Sequence, residues 1–165
     1  MCDHCGCRDL TTVGRLMDEH DRLRELGEHV RRHLAAGEDA DARAHLEELL
    51  TVLGPHVAKE ENALFPLLRQ VDELAAHVTL LEAEHADLFD AVDDLDDVPA
   101  AAPPTWRESV LQILRELDGH IYKEDFGLFP AALASLDGDD WDAVDRWEEA
   151  HRPAAAPVRP GPGAG

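Results

Sequence analysis

Apolar residues recur every three or four positions through most of the chain, which is the spacing of one face of an α-helix. The repeat is longest between residues 71 and 96, where seven inward positions follow one another for three heptads. The pattern predicts four long helices, over residues 11–36, 39–69, 71–96 and 105–130. Hydroxyl and carboxylate side chains at their starts are candidate N-caps, namely Thr11 or Thr12, Asp39 or Asp41, and Thr105.

Glycine and proline indicate where these helices bend or end. Gly37 is expected to stop the first helix, and Gly54-Pro55 is expected to kink the second. Pro66 should weaken the last turn of the second helix. Residues 97–104 contain three prolines and three alanines and are expected to form a connection.

A shorter pattern follows the fourth helix. It predicts a fifth helix over residues 140–151, starting from Asp139, with Trp141, Val144 and Trp147 or Glu148 as packing residues. The chain is therefore expected to be all-α, an antiparallel up-down four-helix bundle with a short C-terminal fifth helix.

The predicted domain organisation has four parts. A cysteine-rich leader takes residues 1–10, and the bundle takes residues 11–135. A short accessory helix follows over residues 136–151. Residues 152–165, rich in proline, alanine and glycine, are expected to be a disordered tail.

Composition narrows the class of function. The 165 residues carry a formal net charge of −21, which repels nucleic-acid phosphates and anionic lipid. The sequence has no apolar run near the roughly 20 residues of a membrane span, and its first ten residues have no apolar export segment. We therefore expect no nucleic-acid partner, no membrane partner and a cytoplasmic location.

The chain repeats itself once. Residues 56–66 align with residues 120–130 at an offset of 64, with six of eleven positions identical, and both segments contain H-x-x-x-E. Glu19-His20 aligns with Glu84-His85 at an offset of 65. A helix pair repeated about a pseudo-twofold axis would bring equivalent residues to the centre of a bundle.

The repeated histidines and glutamates fall on the apolar faces of the predicted helices. A buried carboxylate without a partner costs several kcal/mol, so this pattern requires something that compensates it. Four imidazoles and two carboxylates are a ligand set that suits iron, manganese or zinc. The candidate metal ligands are His20, His56, Glu60, His85, His120 and Glu124.

A purely structural interpretation remains open, since H-x-x-x-E also occurs as a hydrogen-bonded pair one helical turn apart. The repetition of the motif favours the metal site over this interpretation. Glu61 is expected on another helix face, outside the centre. The remaining helical histidines have no counterpart in the repeat and are expected to be surface or packing residues, namely His29, His33, His45, His77 and His151.

These motifs resemble the hemerythrin-like, or HHE cation-binding, proteins over about residues 11–135. The resemblance implies a non-haem di-iron centre in a four-helix bundle. It places His20 and His56 on one iron and His85 and His120 on the other. Glu60 would bridge the two ions. Glu124 would form the second bridge.

Two positions depart from the oxygen carriers of that family. Leu81 stands where they have a further histidine. In helix four they have an aspartate five residues after the histidine, whereas in this chain Glu124 follows His120 by four residues and Asp125 follows it by five. Fewer histidines leave positions for water, oxygen, nitric oxide, peroxide or another carboxylate. Glu82 is the nearest candidate for that further carboxylate. The alternative interpretation of Glu82 is a solvated surface residue. These departures favour redox chemistry or sensing over reversible oxygen storage.

The leader is the second chemical feature. Cys2, Cys5 and Cys7 with His4 could hold a soft metal ion or do redox work, or form a leader without such a role. The segment is distantly similar to the cysteine-bearing N-terminal segments of proteins that repair iron–sulfur centres.

Three functions follow. The first is a protein that binds or senses oxygen, nitric oxide or iron at a di-iron centre. The second is a di-iron enzyme acting on peroxide or nitric oxide, for which the redox partner is unknown. The third is an acidic helical bundle with internal His–Glu pairs and no metal. Metal content separates the third from the others, and turnover with peroxide separates the first two.

Overall fold

The computed structural model describes residues 11–96 and 103–151, and every element within those ranges is helical. The α-helices are α1 (Thr11–Ala36), α2 (Asp39–Lys59), α3 (Phe65–Leu68), α4 (Asp72–Asp96), α5 (Pro103–Lys123), α6 (Phe129–Ser135) and α7 (Gly138–His151). Two π-helical turns, π1 (Glu60–Leu64) and π2 (Glu124–Leu128), join α2 to α3 and α5 to α6. The predicted all-α class is confirmed. The cysteine leader and the predicted tail lie outside the described residues.

The first predicted helix has the expected bounds, and the third begins one residue later than predicted, at Asp72. Helix α1 ends where Gly37 adopts a φ of 78°, a conformation that glycine reaches without steric cost. The amide of Glu38 then donates to the carbonyl of His33 across 2.9 Å, which closes the helix end. Pro55 lies inside α2, which is continuous through it.

Four of the candidate N-caps lie inside their helices and not at the cap position, namely Thr12, Asp39, Asp41 and Thr105. Thr12 lies within α1, and its hydroxyl donates across 2.6 Å to the carboxylate of Asp145 in α7. Glu38 occupies the cap position of α2, and its side chain makes no hydrogen bond that caps the helix. Helix α5 begins at Pro103, so Thr105 is inside it. Proline at a helix start costs no hydrogen bond, because its missing N–H would be unpaired there.

Asp137, and not Asp139, caps the last helix. Its Oδ1 accepts hydrogen bonds from the amides of Asp139 and Asp140 across 2.9 and 3.2 Å. Helix α7 therefore starts at Gly138, slightly earlier than predicted.

The second and fourth predicted helices are interrupted, which the sequence analysis did not foresee. Each contains a π-turn that ends one residue before a Phe-Pro pair, Phe65-Pro66 or Phe129-Pro130. A proline inside a helix has no N–H to donate, and its ring crowds the carbonyl four residues earlier. A wider turn before the proline accommodates both effects, so the chain continues as α3 and as α6, which runs five residues past Pro130.

Two hydrophobic clusters make up the core. The first contains the C-terminal halves of α1 and α4 and most of α2 and α5, from Leu23 to Ile121. The second contains the N-terminal ends of α1 and α4 together with π1, α3, π2, α6 and α7. On each long helix the candidate metal ligands come between residues of one cluster and residues of the other. The fold thus places a polar layer within an apolar interior.

Helix α7 covers one side of this arrangement. It contacts α1, α2 and π1, and Trp141 and Val144 are buried, as predicted. Trp147 packs against the second cluster. Of the described helices, none is both long enough and apolar enough to cross a bilayer.

Candidate metal centre

The structure brings the six sequence-predicted ligands together, each from a different element. Every one of them is at most 3% exposed. The histidines come from the middle or end of the four long helices, and the glutamates begin the two π-turns. They are His20 (α1), His56 (α2), Glu60 (π1), His85 (α4), His120 (α5) and Glu124 (π2).

The six residues form two overlapping groups. His20 and His56 make one group with both glutamates, and His85 and His120 make the other with the same two glutamates. Within each group, one ligand atom from every residue lies within 4.8 Å of the others. Glu60 and Glu124 are therefore the residues common to both groups.

The Nε2 atoms of the histidines face these shared carboxylates. His20 Nε2 lies 3.2 Å from Glu124 Oε2, and His120 Nε2 lies 3.3 Å from Glu124 Oε1. Glu60 offers one oxygen to each group in the same way, 3.4 Å from His56 Nε2 and 3.5 Å from His85 Nε2. Each carboxylate thus spans both groups.

Four carboxylates outside the centre hold the other ring nitrogens. His56 Nδ1 donates to Glu19 across 2.8 Å. The three remaining Nδ1 atoms have partners of the same kind, His20 with Asp125 at 2.8 Å, His85 with Glu61 at 3.0 Å and His120 with Glu84 at 3.0 Å. Because a carboxylate accepts, each Nδ1 carries a proton and each Nε2 points inward, where it can bind a metal through its lone pair. This is the tautomer that a metal-binding imidazole needs.

The repeat extends to these supporting residues. Lys59 donates to Glu19 across 2.7 Å, and Lys123 donates to Glu84. Phe129 stacks on His20 with ring centroids 5.4 Å apart, and Phe65 stacks on His85 at 5.8 Å. Each pair of interactions has its counterpart about 64 residues away in the chain. Asp125 has an additional partner, Arg24, whose Nη2 donates to it across 2.6 Å.

The centre contains polar atoms with nothing to bond. Among the described residues, six buried side-chain atoms lack a hydrogen-bond partner, namely both carboxylate oxygens of Glu60 and of Glu124, and Nε2 of His85 and of His120. Leaving one such atom unpaired costs about 1–3 kcal/mol, and more when it is charged. All six converge on the space between the two groups, so the donor set fits divalent cations of the imidazole- and carboxylate-binding kind.

The two glutamates titrate in opposite directions. Burial raises the pKa of Glu60 well above its usual value, and the charge of Glu124 raises it further. Burial also disfavours ionised Glu124, but the positive charges of His120 and His20 close to its oxygens outweigh burial and hold its pKa well below the usual value. Two adjacent buried carboxylates therefore share one proton unless cations balance them.

The first histidine pair shows the same competition. Burial opposes a charge on His20, but its hydrogen bond with Asp125 and the nearby negative charge of Glu124 prevail and raise its pKa to about 9. Burial lowers the pKa of His56 to about 4. Their Nε2 atoms lie 2.9 Å apart, so protonated His20 donates to neutral His56. A metal ion bound there would displace that proton.

The supporting carboxylates were not predicted from the sequence. Glu61 lies outside both ligand groups, as expected, but it accepts a hydrogen bond from Nδ1 of His85, which was not expected. Glu82 was a candidate for a further ligand, but it pairs with Arg69 and belongs to neither group. Asp125 also lies outside both groups and supports His20 instead. For two of the four supporting carboxylates, Glu19 and Glu84, the sequence did contain an indication, because each directly precedes a repeated histidine in a Glu-His motif.

Comparison with known proteins agrees with this geometry. Residues 11–132 match the hemerythrin HHE cation binding domain. The iron-sulfur cluster repair protein YtfE of Edwardsiella ictaluri is 33% identical over 102 residues, which cover 55% of this chain and 46% of the relative. The YtfE protein of Cronobacter sakazakii is 31% identical over 101 residues, with 54% and 46% covered.

The chain therefore spans about half the length of these curated relatives. No solved structure matches it significantly. The domain match covers nearly three quarters of the chain, residues 11–132 of 165, and includes all six buried ligand candidates. The chain belongs to the hemerythrin HHE cation-binding family.

Proposed function

We propose that the protein holds a non-haem di-iron centre and binds a small ligand there. His20 and His56 hold one iron, and His85 and His120 hold the other. Glu60 and Glu124 bridge the two ions. This assignment gives a role to both histidine pairs and to both shared carboxylates. None of the six buried ligand candidates is left without a role.

The observation that carries the proposal is the set of six unpartnered buried atoms at the centre. A structural bundle with internal His–Glu pairs would satisfy its buried polar atoms within the protein. Here every outward nitrogen is satisfied, whereas six of the eight inward atoms are not; the exceptions are Nε2 of His20 and of His56, which bond to each other. That division is typical of a metal site, whose ligands are oriented by hydrogen bonds on their far side.

Charge also favours two divalent ions over one. Two ionised glutamates offset half of the charge of two divalent cations, and the four outer carboxylates offset more of it at longer range. When bound, the iron pair supplies redox chemistry and open coordination positions for oxygen, nitric oxide or peroxide. The chain itself orients the imidazoles, excludes water and holds the proton on each Nδ1.

The proposal includes an antiparallel up-down four-helix arrangement of α1, α2, α4 and α5. Its support is the order of the two core clusters along each helix. Helices α1 and α4 pass from the second cluster to the first, whereas α2 and α5 lie in the first cluster and lead through π1 and π2 into the second. The cytoplasmic location expected from the sequence belongs to the same proposal.

Metal analysis of iron-reconstituted protein tests the centre. We expect two iron atoms per chain and an absorption band that changes on exposure to oxygen or nitric oxide. One iron atom per chain would overturn the bridged assignment. No iron after anaerobic reconstitution would restore the structural interpretation.

A second candidate function is the transfer of iron to damaged iron–sulfur sites. The observation that favours it is the similarity to the two YtfE relatives, which are iron-sulfur cluster repair proteins. The discriminating measurement mixes the iron-loaded protein with an apo iron–sulfur protein, sulfide and reductant. Cluster formation at a rate above that of free iron supports repair, and a spectral response to nitric oxide without iron transfer supports sensing. Steady consumption of peroxide would instead identify the enzyme.

A further inference from the structure

Three histidines outside the repeat meet at the turn between α1 and α2. His33 and His45 stack with ring centroids 4.9 Å apart, and His29 lies 5.1 Å from His45. The two buried histidine pairs of the metal centre have similar separations, 4.6 and 4.5 Å. Two imidazoles bound tetrahedrally to one zinc ion at about 2.0–2.1 Å place their ring centres about 5 Å apart.

Two carboxylates join this cluster. Glu38 Oε2 lies 2.7 Å from His33 Nδ1, across the turn that Gly37 makes. His33, Glu38 and Asp41 each bring a ligand atom within 4.8 Å of the others. The cluster therefore combines nitrogen and oxygen donors from the last turn of α1 and the first turn of α2.

His45 has the tautomer that a ligand needs. Its Nδ1 donates to the backbone carbonyl of Asp41 across 2.9 Å, and a carbonyl only accepts. The proton is therefore on Nδ1, and the Nε2 lone pair is free to bind a cation.

Packing of the helix pair does not require these imidazoles. The second half of the repeat carries Asp94, Val98 and Ser109 at the positions that correspond to His29, His33 and His45. The cluster is also accessible, with the His33 side chain 22% and the Glu38 side chain 52% exposed. A formal net charge of −21 raises the concentration of cations near such a surface.

We propose that His33, Glu38 and Asp41 form a second metal site, separate from the buried centre, for a divalent cation of the zinc class, and that His45 supplies its fourth ligand. His45 lies outside the group of three ligand atoms, with its ring centre 4.9 Å from that of His33, so its Nε2 turns toward the ion on binding. Two imidazoles and two carboxylates are a ligand set that zinc accepts in tetrahedral geometry. A bound ion would tie the end of α1 to the start of α2. The site does not depend on what the buried centre binds.

Zinc binding to the full chain tests the proposal. Cys2, Cys5 and Cys7 are replaced by Ser in every sample, so that thiols do not contribute, and the buried centre is loaded with iron first. Zinc per chain is then measured at equilibrium against a chromophoric chelator. We expect this parent protein to bind one zinc more than its His33→Ala and His45→Ala variants, and Glu38→Gln to bind that zinc at least tenfold more weakly.

His77→Ala is the matched control, because His77 is another half-buried histidine outside both sites. It should bind as much zinc as the parent. Equal zinc in the parent and in His33→Ala would overturn the proposal, as would an equal loss in His77→Ala. Zinc that enters the buried centre does so in every variant, so the differences remain interpretable if that centre does not hold iron.

Discussion

Lys59 and Lys123 occupy equivalent places in the repeat and pair with equivalent glutamates, but only Lys59 is buried. Its side chain is 5% exposed and that of Lys123 is 42% exposed. Helix α7 causes the difference, because it lies over α2 and brings Glu148 within 3.3 Å of the Lys59 ammonium. No counterpart of α7 among the described residues covers Lys123. The two halves of the centre therefore have different surroundings.

This difference predicts unequal effects of removing each lysine. Lys59→Ala leaves Glu19 and Glu148 facing each other in a partly buried space, which we expect to cost about 1–3 kcal/mol. Lys123→Ala removes a solvent-screened pair and should cost less than about 1 kcal/mol. Thermal unfolding of the two variants measures this, with about 2–4 °C per kcal/mol for a chain of this size. Equal shifts would show that α7 does not stabilise the first half selectively.

Replacing a bridging glutamate should remove metal. Glu60→Gln and Glu124→Gln keep the shape of the side chain but lose the charge, so we expect at most one iron per chain in each. Iron analysis after reconstitution measures the loss. Glu73→Gln, at an exposed position of α4, serves as the control and should keep full iron. Glu61 is unsuitable as a control because it orients His85. Full iron in Glu60→Gln would contradict the bridging role.

The supporting carboxylates should tune metal affinity without abolishing binding. Glu84→Ala leaves His120 free to rotate and to change tautomer, which typically costs 10- to 100-fold in metal affinity. Competition with a chelator measures the change. Asp87→Ala, at an exposed position one turn further along α4, should bind as the wild type does. If both variants release iron equally, the hydrogen bond from His120 has no role in holding the metal.

The sequence predicted the centre better than its surroundings, for a physical reason. Glu60 and Glu124 were identifiable because a charged residue on an apolar face is costly, so its position alone indicates compensation. Glu61 and Asp125 follow them directly on a more polar face, where charge is normal and carries no such indication. Their role depends on which helix lies opposite, and periodicity within one helix does not contain that information.

Local backbone geometry was only partly predictable for a similar reason. Gly37 ends α1 as expected, since the residue itself favours the required conformation. Thr12 was expected to cap a helix, but Asp145 from α7 provides a partner 133 residues away. The π-turns depend on the prolines and on the packing of the following residues together, and the sequence indicated only the prolines.

The contact between α1 and α7 predicts a pH-dependent contribution to stability. Burial acts to raise the pKa of Asp145, but hydrogen bonds from Thr12 and Arg15 outweigh it and lower its pKa below the usual 3.8. A folded-state pKa below the unfolded one means that the ionised carboxylate stabilises the fold above about pH 4 and that this stability is lost as pH falls through the folded value. We expect Asp145→Asn to cost about 1 kcal/mol at pH 7 and much less at pH 3.

Chemical denaturation at the two pH values measures this difference. Asp142→Asn, at an exposed position of the same helix, is the control and should have little effect at either pH. An equal cost of Asp145→Asn at pH 7 and pH 3 would mean that the hydrogen bonds stabilise the fold independently of the charge.

Metal removal should destabilise the fold, and this follows from the burial of the six ligand side chains. Without metal, the glutamates share a proton, and their oxygens and Nε2 of His85 and His120 lack hydrogen-bond partners. An ion that binds the folded chain alone stabilises it by about 4 kcal/mol at a thousandfold excess over its dissociation constant. For a chain of this length that corresponds to about ten degrees in melting temperature.

Thermal unfolding of metal-free and iron-loaded protein at pH 7 measures the shift, and His56→Leu and His120→Leu should abolish most of it. Both substitutions also replace a buried polar side chain with an apolar one, so each metal-free variant should melt no lower than the metal-free wild type. His151→Leu, at an exposed position, should retain the full shift. Coincident curves for metal-free and loaded wild type, with iron shown to be bound in the loaded sample, would place the iron on the surface and contradict a ligand set within the core.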